Sequence, residues 1–131
     1  MRLHTTHFLK KVERQNWNKA LVFIADDYKD RWGHDKESVL RETREVVGQF
    51  LFLTIENKTV ACDLHGASAT ARTVVKITGT GGPLAQLVME RVNSLREPFT
   101  FEWRQPGWKP WHWQLTRVDQ PELRLDAAGA F

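Results

Sequence analysis

An α+β domain is predicted, helices first and an antiparallel sheet after, on three observations. Apolar residues recur at helical spacing through the first fifty residues. The period changes to two from Phe50 onwards, and residues 98–115 hold Trp103, Trp108, Trp111 and Trp113 in two alternating arms.

Thr5 or Thr6 suits the cap of a first helix, in which Phe8, Leu9, Val12 and Trp17 supply an apolar stripe and Lys10, Lys11, Glu13 and Arg14 turn to water. Asn16 and Asn18 weaken its continuation. A second helix is predicted from Lys19 to about Asp26; Ala20, Leu21, Phe23, Ile24 and Ala25 make it apolar almost all round, so it needs burial on several sides. The third is the clearest: Asp35 is a good N-cap, Glu37 sits in the first turn, and Val39, Leu40, Thr43, Val46, Val47 and Phe50 fall on one side. Arg41, Glu42, Arg44 and Glu45 fill the other positions as solvated charges, poor candidates for a site.

Leu51, Leu53 and Ile55 then alternate, Asn57-Lys58 marks a bend or bulge, and Val60, Cys62 and Leu64 resume the pattern before His65-Gly66 turns the chain. The next strand is predicted over 69–78. Thr78-Gly-Thr-Gly-Gly-Pro83 lacks both the Lys-Ser/Thr of a phosphate-binding loop and the spacing of a dinucleotide fingerprint, so it is expected to be a flexible strand-to-helix connection. Leu84, Leu87, Val88, Val92 and Leu95 trace the helix that follows.

The closing hairpin alternates Phe99, Phe101 and Trp103 with polar residues on one arm and Trp111, Trp113 and Leu115 on the other, while Pro106-Gly107 and Pro110 force the reversal. If Trp103 faces Trp111, Phe101 faces Trp113, Phe99 faces Leu115 and Glu102 faces His112. The aromatic face is expected to be core; a ligand platform or dimer surface is the rival, because aromatics are enriched there too.

At 131 residues, with 41% hydrophobic and 27% charged residues, one globular domain over 1–131 is expected, with 126–131 a frayed tail. The net charge of +3 arises from Lys and Arg interleaved with Asp and Glu, a pattern that argues against nucleic acid as partner. No apolar run reaches the roughly 18 residues of a membrane helix, and residues 1–7 lack the apolar stretch of a secretion signal. A soluble chain with no membrane partner is expected, cytoplasmic by default and exported if a signal peptide was removed. Cys62 has no second cysteine to pair with, and the five histidines are scattered, so neither a metal nor a cofactor is expected.

The runs Glu13-Arg-Gln-Asn-Trp17, Asp26-Asp-Tyr-Lys-Asp-Arg-Trp-Gly33, Phe101-Glu-Trp-Arg104 and Trp111-His-Trp-Gln-Leu115 resemble the nuclear transport factor 2-like superfamily, which includes ketosteroid isomerases and polyketide cyclases. The resemblance covers nearly the whole chain and is nearest to uncharacterised bacterial members with an Asp-Tyr-x-Asp-x-x-Gly segment between helices. It implies a cystatin-like cone, N-terminal helices packed on a strongly bent antiparallel sheet, with a pocket between them and a homodimer formed through the sheet. Enzymes of the superfamily place an Asp in the pocket, sometimes with Tyr or His. None of their catalytic motifs aligns residue by residue with this chain, so no catalytic assignment is inherited.

Asp27, Asp30 and His34 are weak catalytic candidates, and Tyr28, Trp32, Trp103, Trp111 and Trp113 are candidate ligand-lining residues. Structural roles compete: Asp side chains bond loop amides, Gly33 serves a turn, and Tyr28 can plug the interior. The leading expectation is a non-enzymatic domain that holds a small apolar molecule or dimerises. Proton transfer on an apolar carbonyl compound, with Asp27 or Asp30 as base, is the alternative, and a protein-binding module using the aromatic sheet face is a third.

Overall fold

The computed structural model describes residues 2–107 and 112–123. In chain order the elements are α1 (Arg2–Glu13), α2 (Trp17–Phe23), α3 (Lys36–Val47), β1 (Phe50–His65), β2 (Ser68–Gly81), α4 (Pro83–Asn93), β3 (Phe99–Arg104) and β4 (Gln114–Asp119). The strands form one antiparallel sheet in the order β1-β2-β3-β4, with helices packed on its inner face.

α1 begins before the two threonines expected to cap it. Thr5 lies inside the helix, fully buried, where its hydroxyl accepts a 3.1 Å hydrogen bond from the Trp103 indole. The helix ends at Gln15, whose φ of 56° lets Asn16 N–H reach the Lys11 carbonyl and Gln15 N–H that of Val12. α2 stops three residues short of the predicted end, because the chain after Phe23 has another partner. Ile24 bridges to Leu115, and Ala25 and Lys29 donate to the carbonyls of Leu115 and Thr116. The free edge of β4 is thereby covered. α3 starts as predicted: the Asp35 carboxylate accepts from Ser38 N–H at 2.9 Å while Ser38 Oγ accepts from Asp35 N–H at 2.8 Å.

β1 carries two bulges, at Phe50/Phe52 and Thr59/Ala61, on either side of the predicted Asn57-Lys58 irregularity. The first turns both Leu51 and Phe52 outward, so Leu51 leaves the inward set while Leu53 and Ile55 stay half-buried. The glycines opposite are the reason this is tolerated. A Cβ at Gly79 would overlap the Phe52 carbonyl oxygen, and one at Gly81 would lie 2.5 Å from that of Gln49. The expected flexible loop over 78–83 is therefore strand up to Gly81, with glycine chosen for close backbone approach. At the end of α4, Asn93 pairs its side-chain amide with both Ile77 N–H and C=O at 2.8 Å, anchoring α4 to β2.

The hairpin register differs from the expected one. Trp103 opposes Leu115, Phe101 opposes Val118 and Glu102 opposes Arg117, with a register shift between Glu102 and Trp103. Leu115 and Val118 are three residues apart, and strict alternation would put them on opposite faces; the extra residue at the shift lets both face inward. Thr116 Oγ1 donates to the Glu102 carbonyl there, at 3.1 Å. Glu102 consequently pairs with Arg117 at 3.3 Å rather than with His112.

Two apolar groups fill the inner face. One gathers Phe8, Leu9, Val12, Ile24, Tyr28, Phe101, Trp103 and Leu115 around Ala69 and Ala71 of β2. The other sets Ala85, Val88 and Val92 of α4 against Phe50 and Ile77. Leu53, Ile55 and Val75 are packed against both.

Candidate functional site

A cavity of about 410 Å³ opens between these two groups. Leu53, Ile55, Val75 and Ile77 form its sheet wall, Val39, Thr43 and Val46 of α3 face them, and Leu84, Val88 and Val92 close the α4 side. Tyr28, Trp32 and His34, all from the segment joining α2 to α3, add polar groups to the wall. A volume of this size with apolar walls and a few clustered polar side chains is what small-molecule sites share.

Asp30 organises that segment. Its Oδ1 accepts from Trp32 N–H and His34 N–H, both at 3.0 Å, which turns the chain through Gly33 at a φ of 84°. Its Oδ2 accepts from the Tyr28 hydroxyl at 2.8 Å, and the same phenol oxygen accepts from Val118 N–H at 3.2 Å. Burial first, and then the Asp30 carboxylate beside it, push the Tyr28 hydroxyl well above its ordinary value, so it remains a donor. The Asp30 side chain itself is fully buried. His34 Nδ1 lies 3.5 Å from Asp30 Oδ2, buried and, among the described residues, without a hydrogen-bond partner. Trp32 presents its ring to the cavity and donates its indole N–H to the Leu123 carbonyl at 3.0 Å.

The sequence-derived candidates separate on this geometry. Tyr28, Trp32 and His34 line the cavity, and Asp30 stands behind them with three donors already on its carboxylate. Asp27 lies outside, two-thirds exposed, held by Arg104 through contacts of 2.8 and 2.9 Å. The Arg104 hydrogen bond, and then its charge, keep the Asp27 carboxyl below the usual carboxylate range, which suits a surface ion pair and not a base.

Trp103 and Trp113, expected along a ligand site, do not line the cavity. The Trp103 ring is buried against Phe8 and Phe23 at centroid distances of 6.3 Å, and Trp113 is half-buried against the same group. Trp111 lies outside the described residues. Phe101 and Trp103 are turned inward and buried.

Glu42 and Glu45, set aside in sequence as solvated charges, stand in the cavity wall. Helical spacing held the signal for Glu42: positions three and four apart are neighbours, so it shares a face with Val39 and Val46. Among the described residues no helix is long and apolar enough to cross a membrane.

No protein-family model and no curated protein matches the chain. Solved structures do. A conserved protein of Planctomyces limnophilus superposes with a TM-score of 0.69 at 17% identity, over 91% of this chain and 90% of that one. A Nostoc punctiforme protein of unknown function with a cystatin-like fold gives 0.63 at 14% identity, over 95% and 91%. A proposed dehydratase of the nuclear transport factor 2-like family from Streptomyces avermitilis gives 0.62 at 18% identity, over 88% of each. The chain spans 35% of the length of another neighbour, Bd1075 of Bdellovibrio bacteriovorus. Identities this low speak for architecture and not for activity. Element order, sheet topology and these neighbours converge on one conclusion: the chain has the nuclear transport factor 2-like fold, an α+β architecture of the cystatin-like kind.

Proposed function

We propose that this protein binds a small, largely apolar molecule in the cavity between α3, α4 and the sheet, with Tyr28 and His34 as its polar contacts. The observation that carries this reading is the cavity itself: about 410 Å³ left open in an interior whose other end is filled by aromatic rings. Close packing is the rule in protein interiors, so a void of this size with an ordered polar rim supports a binding role.

The test is titration with the fluorescent apolar probe N-phenyl-1-naphthylamine. Saturable binding near one probe per chain is expected, weakened about tenfold by Val46→Phe or Val75→Phe, each of which places a ring in the cavity. Equal binding by the wild type and both folded variants would remove the cavity as the site.

A proton-transfer enzyme is the second reading, and His34 is the observation that favours it. Asp30 already accepts three hydrogen bonds and Asp27 is outside, so the base would be His34, oriented by the Asp30 carboxylate 3.5 Å from its Nδ1. Deuterium exchange at the α-carbon of a cyclic ketone, catalysed by the wild type and lost in His34→Gln, would establish it. Exchange no faster than in buffer, across a panel of apolar ketones, would count against it.

A further inference from the structure

We infer that the molecule held in this cavity ends in a cationic or neutral polar group, and that the site rejects carboxylates; this rests on the cavity being a ligand site. The described wall contains no Lys or Arg, and its two formally charged side chains are both acidic, Glu42 and Glu45. Among the described residues neither carboxylate has a hydrogen bond or an ion pair. Glu42 is half-buried beside the apolar row of α3, Glu45 is exposed nearby, and Gln49 continues the same edge towards the helix end. A third carboxylate, Asp30, is buried behind Tyr28.

Arg41 and Arg44 are exposed and outside the wall; Arg41, four residues before Glu45 and so its helical neighbour, makes no ion pair with it among the described residues. The N-terminus of α4 at Leu84 contributes about half a positive charge, and the C-terminus of α3 at Gln49 contributes about half a negative one. The two helix ends cancel, and the negative charges of Glu42 and Glu45 remain. An ammonium group placed there gains two partners, a hydroxyl loses little, and a carboxylate meets like charges at the edge of an apolar cavity.

Displacement of N-phenyl-1-naphthylamine by octylamine, octan-1-ol and octanoate, at neutral pH and low salt, tests the inference on one chain length with three end groups. Octylamine is expected to bind about tenfold more tightly than octanoate, with octanol between them. The gap should narrow to roughly threefold or less in Glu42→Gln/Glu45→Gln, and should also narrow in high salt, because partly exposed charges are screened. Octanoate binding as well as octylamine, or an unchanged gap in the double variant, overturns the inference and leaves the cavity reading standing. Failure of the probe and all three compounds to bind would instead remove the cavity reading, and the charge preference with it.

Discussion

The two ends of the interior draw on the same apolar residue types, yet one is filled and the other hollow. At the filled end Trp103, Phe8 and Phe23 meet edge-on or tilted over Ala69 and Ala71, so large rings sit where β2 offers only methyl groups. At the hollow end Val75 and Ile77 of the same strand share the cavity wall with Val39, Val46 and Val88, and these branched side chains pack along the wall without filling the space it encloses. Pairing large with small closes an interior, whereas medium facing medium across separated helices leaves space. The stability of this protein should therefore reside at the filled end and its function at the hollow one.

The largest test of that contrast is Trp103→Ala. It deletes a ring that is 1% exposed and removes the indole donor to the Thr5 hydroxyl, and should cost about 3–5 kcal/mol in urea unfolding. Trp113→Ala, which removes a half-buried ring, should cost clearly less. Equal losses would mean that Trp113 shares the filled end on the same terms.

Enlargement should sharpen the contrast further. Ala71→Val adds atoms where there is no room and should cost about 1–3 kcal/mol. Val75→Ile adds one methylene facing the cavity and should be neutral, or stabilise by up to about 0.8 kcal/mol. A comparable loss in both would show that the hollow end is as tightly determined as the filled one.

The order of elements was legible in the sequence because period and caps are local: the stripe of α3 with its Asp35 cap, the alternation of β1, the inward aromatic arm of β3. What escaped depended on partners distant in the chain. The register of β4 is set by the bulge beside Glu102 and by residues 24–29 lying along its far edge, and neither leaves a mark in the alternation of residues 111–115. Thr5 looked like a cap because its partner, the Trp103 indole, is 98 residues away. At the site, the cluster from Tyr28 to His34 could be read as chemistry-bearing, but which carboxylate it uses could not. Asp27 and Asp30 are three residues apart, and only the fold sends one to Arg104 on the surface and the other beneath Tyr28.

Tyr28 borders both ends, and it is the only tyrosine in the chain, so its ionisation can be followed by itself. Tyr28→Phe would leave Asp30 Oδ2 without its phenol donor and Val118 N–H without its acceptor, at a cost of about 1–3 kcal/mol. The wild type gives the finer measurement. Its folded state holds the phenolic proton above the ordinary value of 10.0 at which the unfolded chain releases it. The stabilisation linked to that proton is thus complete below about pH 10 and declines as pH rises further, because the unfolded state then binds fewer protons than the folded one. Tyrosinate absorbance should stay flat through that range while the circular dichroism is native, then rise together with unfolding; in urea it should rise near the ordinary value. Ionisation near that value with the fold intact would place the hydroxyl in water, and the hydrogen bonds that seat Tyr28 between the two ends would have to be abandoned.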